Sequence, residues 1–403
     1  MFPLNKRDFF LQLVRLGIGT DANPNVNANL VEGADWEALK ALATEQGLLA
    51  IALDGIDALR RNDNENENRK PASRLTVDSM PKMVKKQWIG EVLQKEQQYA
   101  VQQKTAAAMA ALFHRNGIRT YVLKGDVVAE CYPKPSHRVS VDLDCFLTET
   151  NENYNDNVWE RGNRLIEEAG FEVSRGFYKN SSFYLPGLHV ENHQFLTPFR
   201  GNERLKSLER LLQRLINDND NDNRFEGTWL YRPPVMVSAL FLIEHAYSHF
   251  LHEGLTWRHV LDWMMFSKKH REEIDWRALE SYLDEFGFRK FYETFDAIGK
   301  EAFDENDNHN DNSLTPNPSP KGEGDLELPL TSDFLHQKKR MLADIWAPLD
   351  LHETVRGLKG KLALAGNTWR ARWKYREFTD VSWLTALWIQ VKGFLFMKHP
   401  TLN

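Results

Sequence analysis

Five stretches of this chain cannot contribute to a packed core, and their positions dictate where a core can form. Residues 62–68, 151–157, 217–223 and 304–312 are built almost wholly from Asn, Asp and Glu. Residues 313–328 carry Pro316, Pro318, Pro320, Gly322 and Gly324. Neither kind of stretch has the apolar periodicity that offsets the entropy of ordering a chain. The four acidic tracts are therefore expected as insertions in surface loops, and 304–331 as a disordered low-complexity linker.

The sequence between these breaks sorts into elements by its hydrophobic period. Residues 34–60 predict a helix, with Trp36, Leu39, Leu42, Ala43 and Leu49 on one face. A long helix is expected over 82–115, closed by Asn116-Gly117. The texture then changes to short β-branched runs at 118–123, 139–147 and 188–195, with helical spacing at 126–131 and 158–169. Residues 233–303 and 332–403 return to a helical pattern. The expected organisation is α+β: an N-terminal helical region (1–116), an α/β core (117–200), a helical domain (201–303), the linker, and a C-terminal helical segment (332–403).

Composition bounds the setting. With 42% hydrophobic and 27% charged residues over 403 positions, the chain reads as a soluble protein of two or three domains. No apolar run reaches the roughly 18 residues that a membrane span requires. Phe9-Phe10-Leu11-Gln12-Leu13-Val14-Arg15-Leu16 reads as an amphipathic helix and not as a signal-peptide core. Two cysteines, Cys131 and Cys145, lack zinc or redox spacing, and a cytoplasmic location is expected. Twelve acids lie in the four tracts, so without them the formal charge of −6 becomes +6. A mildly basic folded part suits an anionic ligand.

The chemistry concentrates in Val141-Asp142-Leu143-Asp144-Cys145. On a strand, residues i and i+2 share a face, so both carboxylates emerge together while Val141, Leu143 and Cys145 turn into apolar surroundings. Paired carboxylates repel unless a cation sits between them, and hard divalent ions take such oxygen ligands. Two metals about 4 Å apart can activate an attacking oxygen and stabilise a leaving pyrophosphate. By itself the triplet is also what a strand end with two solvated acids looks like. Its neighbourhood adds Leu123-Lys124-Gly125, where backbone N–H groups can approach a phosphate, and Arg138. Downstream, Glu191 shares a strand face with His189 and His193.

Leu123-Lys124-Gly125, Tyr132-Pro133, Arg138 and Asp142-Leu143-Asp144 together resemble a family of uncharacterised bacterial nucleotidyltransferases in the polymerase-β-like superfamily. The similarity continues through Val190-Glu191-Asn192-His193 and Leu255-Thr256-Trp257-Arg258-His259-Val260-Leu261-Asp262-Trp263, and it includes the helix at Trp36 to Leu49. It covers roughly residues 35–300. It implies a small mixed sheet flanked by helices. It also implies metal ligation by Asp142, Asp144 and Glu191, and phosphate or substrate contacts from Lys124, Gly125 and Arg138. The implied cofactor is Mg²⁺ or Mn²⁺, the donor a nucleoside triphosphate, and the acceptor an unknown protein, small molecule or RNA. Gly125-Asp126 departs from the superfamily's usual glycine-serine loop, so the hydroxyl donor is missing there.

Three other readings stay open. The fold can persist as a nucleotide-binding or regulatory module without turnover, which the Gly125-Asp126 departure favours. His245 and His249, four apart on one helix, suggest either packed or cleft-facing histidines or a metal-dependent hydrolase, although the order is not His-Glu-x-x-His. His193, His249 and Asp262 are candidate cleft residues. An RNA-directed transferase would use Trp369-Arg370-Ala371-Arg372-Trp373-Lys374-Tyr375-Arg376 as a platform, within an acid-free strip at 356–376. The ordinary reading of that strip is a solvated helix whose tryptophans pack on the core. Trp383, Leu384, Leu387, Trp388, Val391, Phe394 and Leu395 then form an amphipathic stripe.

Overall fold

A computed structural model describes residues 4–20, 34–65, 80–150, 157–175, 178–199, 202–218, 222–304, 331–347 and 369–385. Helices α1 (Leu4–Ile18), α2 (Trp36–Glu45), α3 (Leu49–Glu65) and α4 (Lys82–Arg115) lead into a mixed sheet. Its strands are β1 (Ile118–Val122), β2 (Asp142–Glu149), β3 (Val173–Ser174), β4 (Asn180–Leu185), β5 (Leu188–His193) and β6 (Leu230–Tyr231). Helices α5 (Asp126–Ala129), α6 (Val158–Glu168) and α7 (Glu203–Asn217) interleave with the strands. Then follow α8 (Val235–His252), α9 (Trp257–Lys269), α10 (Trp276–Phe286), α11 (Arg289–Phe303), α12 (Ser332–Trp346) and a helix at 369–378, α13.

The strand order is β3-β4-β5-β2-β1-β6. Strands β2 and β5 run parallel, as do β1 and β6, while β1–β2, β4–β5 and β3–β4 are antiparallel. The alternation of side chains divides the sheet chemically. Leu143, Cys145, Leu147, Val190 and Asn192 are buried on one face. A Cβ at Gly162 of α6 would collide with Leu147 and come within 3.8 Å of Asn192 and of Phe113 of α4, so α6 lies close against that face beside α4. The opposite face carries Asp142, Asp144, Glu191 and His193 toward α8, where the His193 and Phe241 ring centroids lie 6.4 Å apart.

Several details differ from the sequence expectation. The helix expected over 34–60 is two helices, because Gly47 adopts φ +71 and ends α2. The break is anchored by Gln46, which donates to the Ile345 carbonyl at 3.2 Å and accepts from the Trp257 backbone N–H at 2.8 Å. Helix α3 runs through Glu65, so the first acidic tract begins inside a helix. Strand β2 starts at Asp142 and not at 139, which leaves Val141 66% exposed; its expected apolar environment is absent. The sheet also recruits β6 from beyond residue 200. Residues 66–79, 151–156, 219–221 and 305–330 lie outside the described residues, as do 348–368 and 386–403. They hold much of the acidic tracts, most of the linker, the first part of the basic strip and most of the amphipathic stripe.

Among the described residues no helix is long and apolar enough to cross a membrane. Helix α13 docks onto the rest through Lys374, whose buried ammonium donates to Asp344 and to the Phe250 carbonyl, both at 2.7 Å. Tyr375 is buried and Trp373 packs on Phe250 and Phe378. Half of the basic aromatic run is therefore core, and Arg370, Arg372 and Arg376 remain on the surface.

Candidate active site

The pairing of β2 with β5 sets Asp144 opposite Glu191, Asp142 opposite His189 and Phe146 opposite His193. Because parallel neighbours in register share a face, carboxylates from two separate segments meet there. One ligating atom each from Asp144, Glu191 and His193 lies within 4.8 Å of the other two. Asp142, Glu191 and His189 form a second such group, and Glu191 belongs to both. Its Oε2 accepts from Asn180 Nδ2 of β4 at 2.7 Å, which orients it.

Asp144 is the buried centre of the arrangement. Its Oδ1 lies 2.9 Å from His193 Nε2, and its Oδ2 lies 3.1 Å from Lys124 Nζ. Burial alone would raise its pKa. The Lys124 ammonium and the His193 bond outweigh burial and hold the carboxyl well below the usual carboxylate range. Oδ2 is buried and accepts no aligned hydrogen bond, despite its contact with the lysine. A buried carboxylate oxygen that meets only a lysine, with no aligned hydrogen bond, beside two further carboxylates and two imidazoles, fits a divalent cation.

Lys124 stands where β1 leaves the sheet, and Gly125 follows with φ +60 and ψ −102, a conformation that needs glycine. A Cβ at Gly125 would lie 3.3 Å from Ser140 Oγ, so a hydroxyl covers this turn. Ser140 Oγ itself donates to the Asp142 carbonyl at 2.9 Å. Asp126, in the place of the usual serine, is buried and accepts from Gln103 Nε2 of α4 at 2.6 Å. Burial raises its pKa, so its charge is disfavoured there.

The sequence pattern of a family described as uncharacterised nucleotidyltransferase matches residues 32–301. The chain belongs to this family. No curated protein and no solved structure matches it. The nucleotidyltransferase match begins before α2 and ends within α11, so it contains the whole sheet and the carboxylates, histidines and Lys124–Asp126 turn of the site. Helices α1, α12 and α13 lie outside it.

Two of the candidate site residues, Arg138 and Asp262, meet each other. Arg138 and Asp262 are both buried, joined by Nε to Oδ1 at 3.1 Å and Nη2 to Oδ2 at 2.7 Å. Tyr132 Oη donates to the same Asp262 Oδ1 at 2.8 Å. Arg258 of α9 donates to the Val139 carbonyl at 3.1 Å, so α9 grips the segment entering β2 at two points. Just upstream, the buried His137 bridges Asp54 of α3 and Glu96 of α4, at 2.5 and 2.7 Å. His249 sits with His245 and His259 on the helical side. His245 reaches the site through Lys124, with Nε2 and Nζ 3.2 Å apart.

Sequence reasoning overlooked Ser140, Asn180, His137 and His259. Asn180 belongs to a strand with no clear apolar alternation, and His137 is marked only by its distant partners. His259 did leave a signal: Thr256-Trp257-Arg258-His259 is a helix-capping pattern with histidine where Glu or Gln is usual.

Proposed function

We propose that the protein is a divalent-metal-dependent nucleotidyltransferase that moves a nucleoside monophosphate from a nucleoside triphosphate to an acceptor hydroxyl or phosphate. The observation that carries this reading is the in-register meeting of Asp144 and Glu191, with Asp142 alongside, around a buried carboxylate oxygen that accepts no hydrogen bond. Asp142, Asp144 and Glu191 would hold Mg²⁺ or Mn²⁺. When bound, the ion neutralises triphosphate charge and makes the acceptor oxygen more acidic.

The remaining work falls to the chain. Lys124 offsets charge on the donor phosphates, and the Gly125 turn lets the backbone approach them. His193 and Asn180 keep Asp144 and Glu191 oriented. A bond forms from the acceptor oxygen to the α-phosphorus as the bond to the pyrophosphate oxygen breaks. The acceptor proton passes to Glu191 and then to solvent, and pyrophosphate leaves. Positioning and fixed charge would supply most of the rate, as in phosphoryl transfer generally. The acceptor is a protein, a small molecule or an RNA. The turn of Asp126 toward Gln103 favours turnover over a binding-only module.

The test is to incubate the protein with labelled nucleoside triphosphates, Mg²⁺ or Mn²⁺ and cell extract. Label should pass to an acceptor, and Asp142→Ala and Asp144→Ala should each abolish the transfer. Transfer that survives both substitutions would remove these carboxylates from the mechanism.

A further inference from the structure

Beside the carboxylates, on the helical side of Lys124, three histidines crowd together. The His245 and His249 rings of α8 lie 4.4 Å apart, and His259 of α9 is 4.7 Å from His249. One nitrogen from each lies within 4.8 Å of the others, a spacing that suits a transition metal. The hydrogen bonds around the rings point to a different ligand. His259 Nδ1 accepts the backbone N–H of Thr256 at 3.1 Å, so in the neutral ring the hydrogen sits on Nε2. That Nε2–H is buried and has no partner among the described residues. His249 Nδ1 faces Glu253 Oε2 at 2.8 Å and so carries a hydrogen, which leaves Nε2 toward its neighbours. His245 Nε2 already meets the Lys124 ammonium.

The surrounding charge agrees. Burial lowers the pKa of His245, helped by Lys124, His249, His259 and Lys179. Burial likewise lowers that of His259, helped by His249, Arg258, Lys124 and Arg138. The permanently charged neighbours Lys124, Lys179, Arg138 and Arg258 are all cations, with Asp144 and Asp262 pairing two of them and Glu253 facing His249, so a divalent cation would meet repulsion from them that an anion would not.

We propose that Lys124 and His259 form a phosphate-oxygen site, contiguous with the carboxylates, that takes the terminal phosphate of a nucleoside triphosphate. Lys124 touches both halves, at 3.1 Å from Asp144 Oδ2 and 3.2 Å from His245 Nε2. The inference rests on the nucleotide reading above and adds which side chains grip the far end of the donor.

The deciding variant is His259→Gln. Glutamine is a normal partner in this helix cap, so Thr256 stays satisfied while the imidazole N–H is lost. His259→Glu keeps the cap as well and sets a carboxylate against the phosphate. Calorimetry with the full-length protein and Mg²⁺ would compare ATP, AMP, tripolyphosphate and inorganic phosphate, with thermal melting as the check on folding. ATP and tripolyphosphate should weaken about 10-fold in His259→Gln and at least about 100-fold in His259→Glu, with AMP unchanged. Equal binding of ATP by all three proteins would overturn the proposal. So would inorganic phosphate binding as tightly as ATP, or one equivalent of Zn²⁺ that displaces tripolyphosphate and is lost in His259→Gln. If the expected binding pattern holds but no label is transferred in the extract assay, transfer chemistry fails and this site stands. If label is transferred and His259→Gln binds ATP normally, the site alone fails.

Discussion

The ion pair between Arg138 and Asp262 separates a scaffold from a ligand contact. Both residues are 5% exposed, and Asp262 also accepts from Tyr132. Burial would raise the Asp262 pKa, but Arg138 outweighs it and keeps the carboxylate charged. Asp262→Ala would strand a guanidinium in the interior, at a cost of about 3–5 kcal/mol. At about 2–4 °C per kcal/mol for a domain of this scale, the melting temperature should fall by about 6–20 °C. Arg138→Met with Asp262→Leu replaces the pair by apolar volume and should recover most of that loss. Arg138→Lys should not be neutral, because an ammonium cannot reproduce the two-pronged contact. Calorimetric melting of these three variants and of Arg138→Met alone, with ATP binding measured in parallel, checks the reasoning. A fall of under about 2 °C in Asp262→Ala, together with a large loss of ATP binding in Arg138→Met, would make Arg138 a nucleotide ligand and refute the scaffold role.

Three further outcomes follow from buried or constrained groups. Burial lowers the pKa of His137, but its bonds to Asp54 and Glu96 prevail and raise it above 6.5; the stabilisation is full below 6.5 and is lost as pH rises through the folded value. Melting temperature should therefore drop from pH 6 to pH 8.5 in the native protein and stay flatter in His137→Gln. Gly125→Ala forces a side chain into φ +60, with strain of about 1–3 kcal/mol, and ATP affinity in calorimetry should fall about 10-fold. Lys374→Met leaves Asp344 buried without its cation, so hydrogen exchange should speed up in α12 and α13 while the sheet stays protected.

The sheet half of the site was legible because strand periodicity is local. Asp142-Leu143-Asp144 states in three letters which side chains share a face, and Val190-Glu191-Asn192-His193 does the same for its neighbour. Their register was not written in either segment; it depends on β2 and β5 pairing across 45 or more intervening positions of chain order, as Asp144 with Glu191 illustrates. The long helix α4 was readable from its uninterrupted pattern and its Asn116-Gly117 stop. The division of α2 from α3 was not, because Gly47 alone is weak punctuation and its anchor Gln46 bonds to Ile345 and Trp257, far along the chain. The family resemblance is what implies a phosphate contact for Arg138. Only the fold reveals that Asp262, 124 positions later, claims it.

The electrostatics of the site have a direction that neither half has alone. The sheet contributes acids, with Asp144 kept ionised by Lys124 and His193. Helices α8 and α9 contribute imidazoles kept neutral by burial and by basic neighbours. Lys124 is the shared boundary, and its two contacts are nearly equal in length. On the proposed reading a triphosphate lies along this gradient, its reacting phosphorus nearest the acids and its tail nearest Lys124 and the His259 Nε2–H. Donor polarity would then be set by the protein before any acceptor arrives. Lys124→Met should consequently damage more than one charge: it frees Asp144 Oδ2 of its only cation among the described residues and removes the partner of His245 Nε2. Lys124→Arg keeps the charge but changes its shape, so it should restore binding only in part.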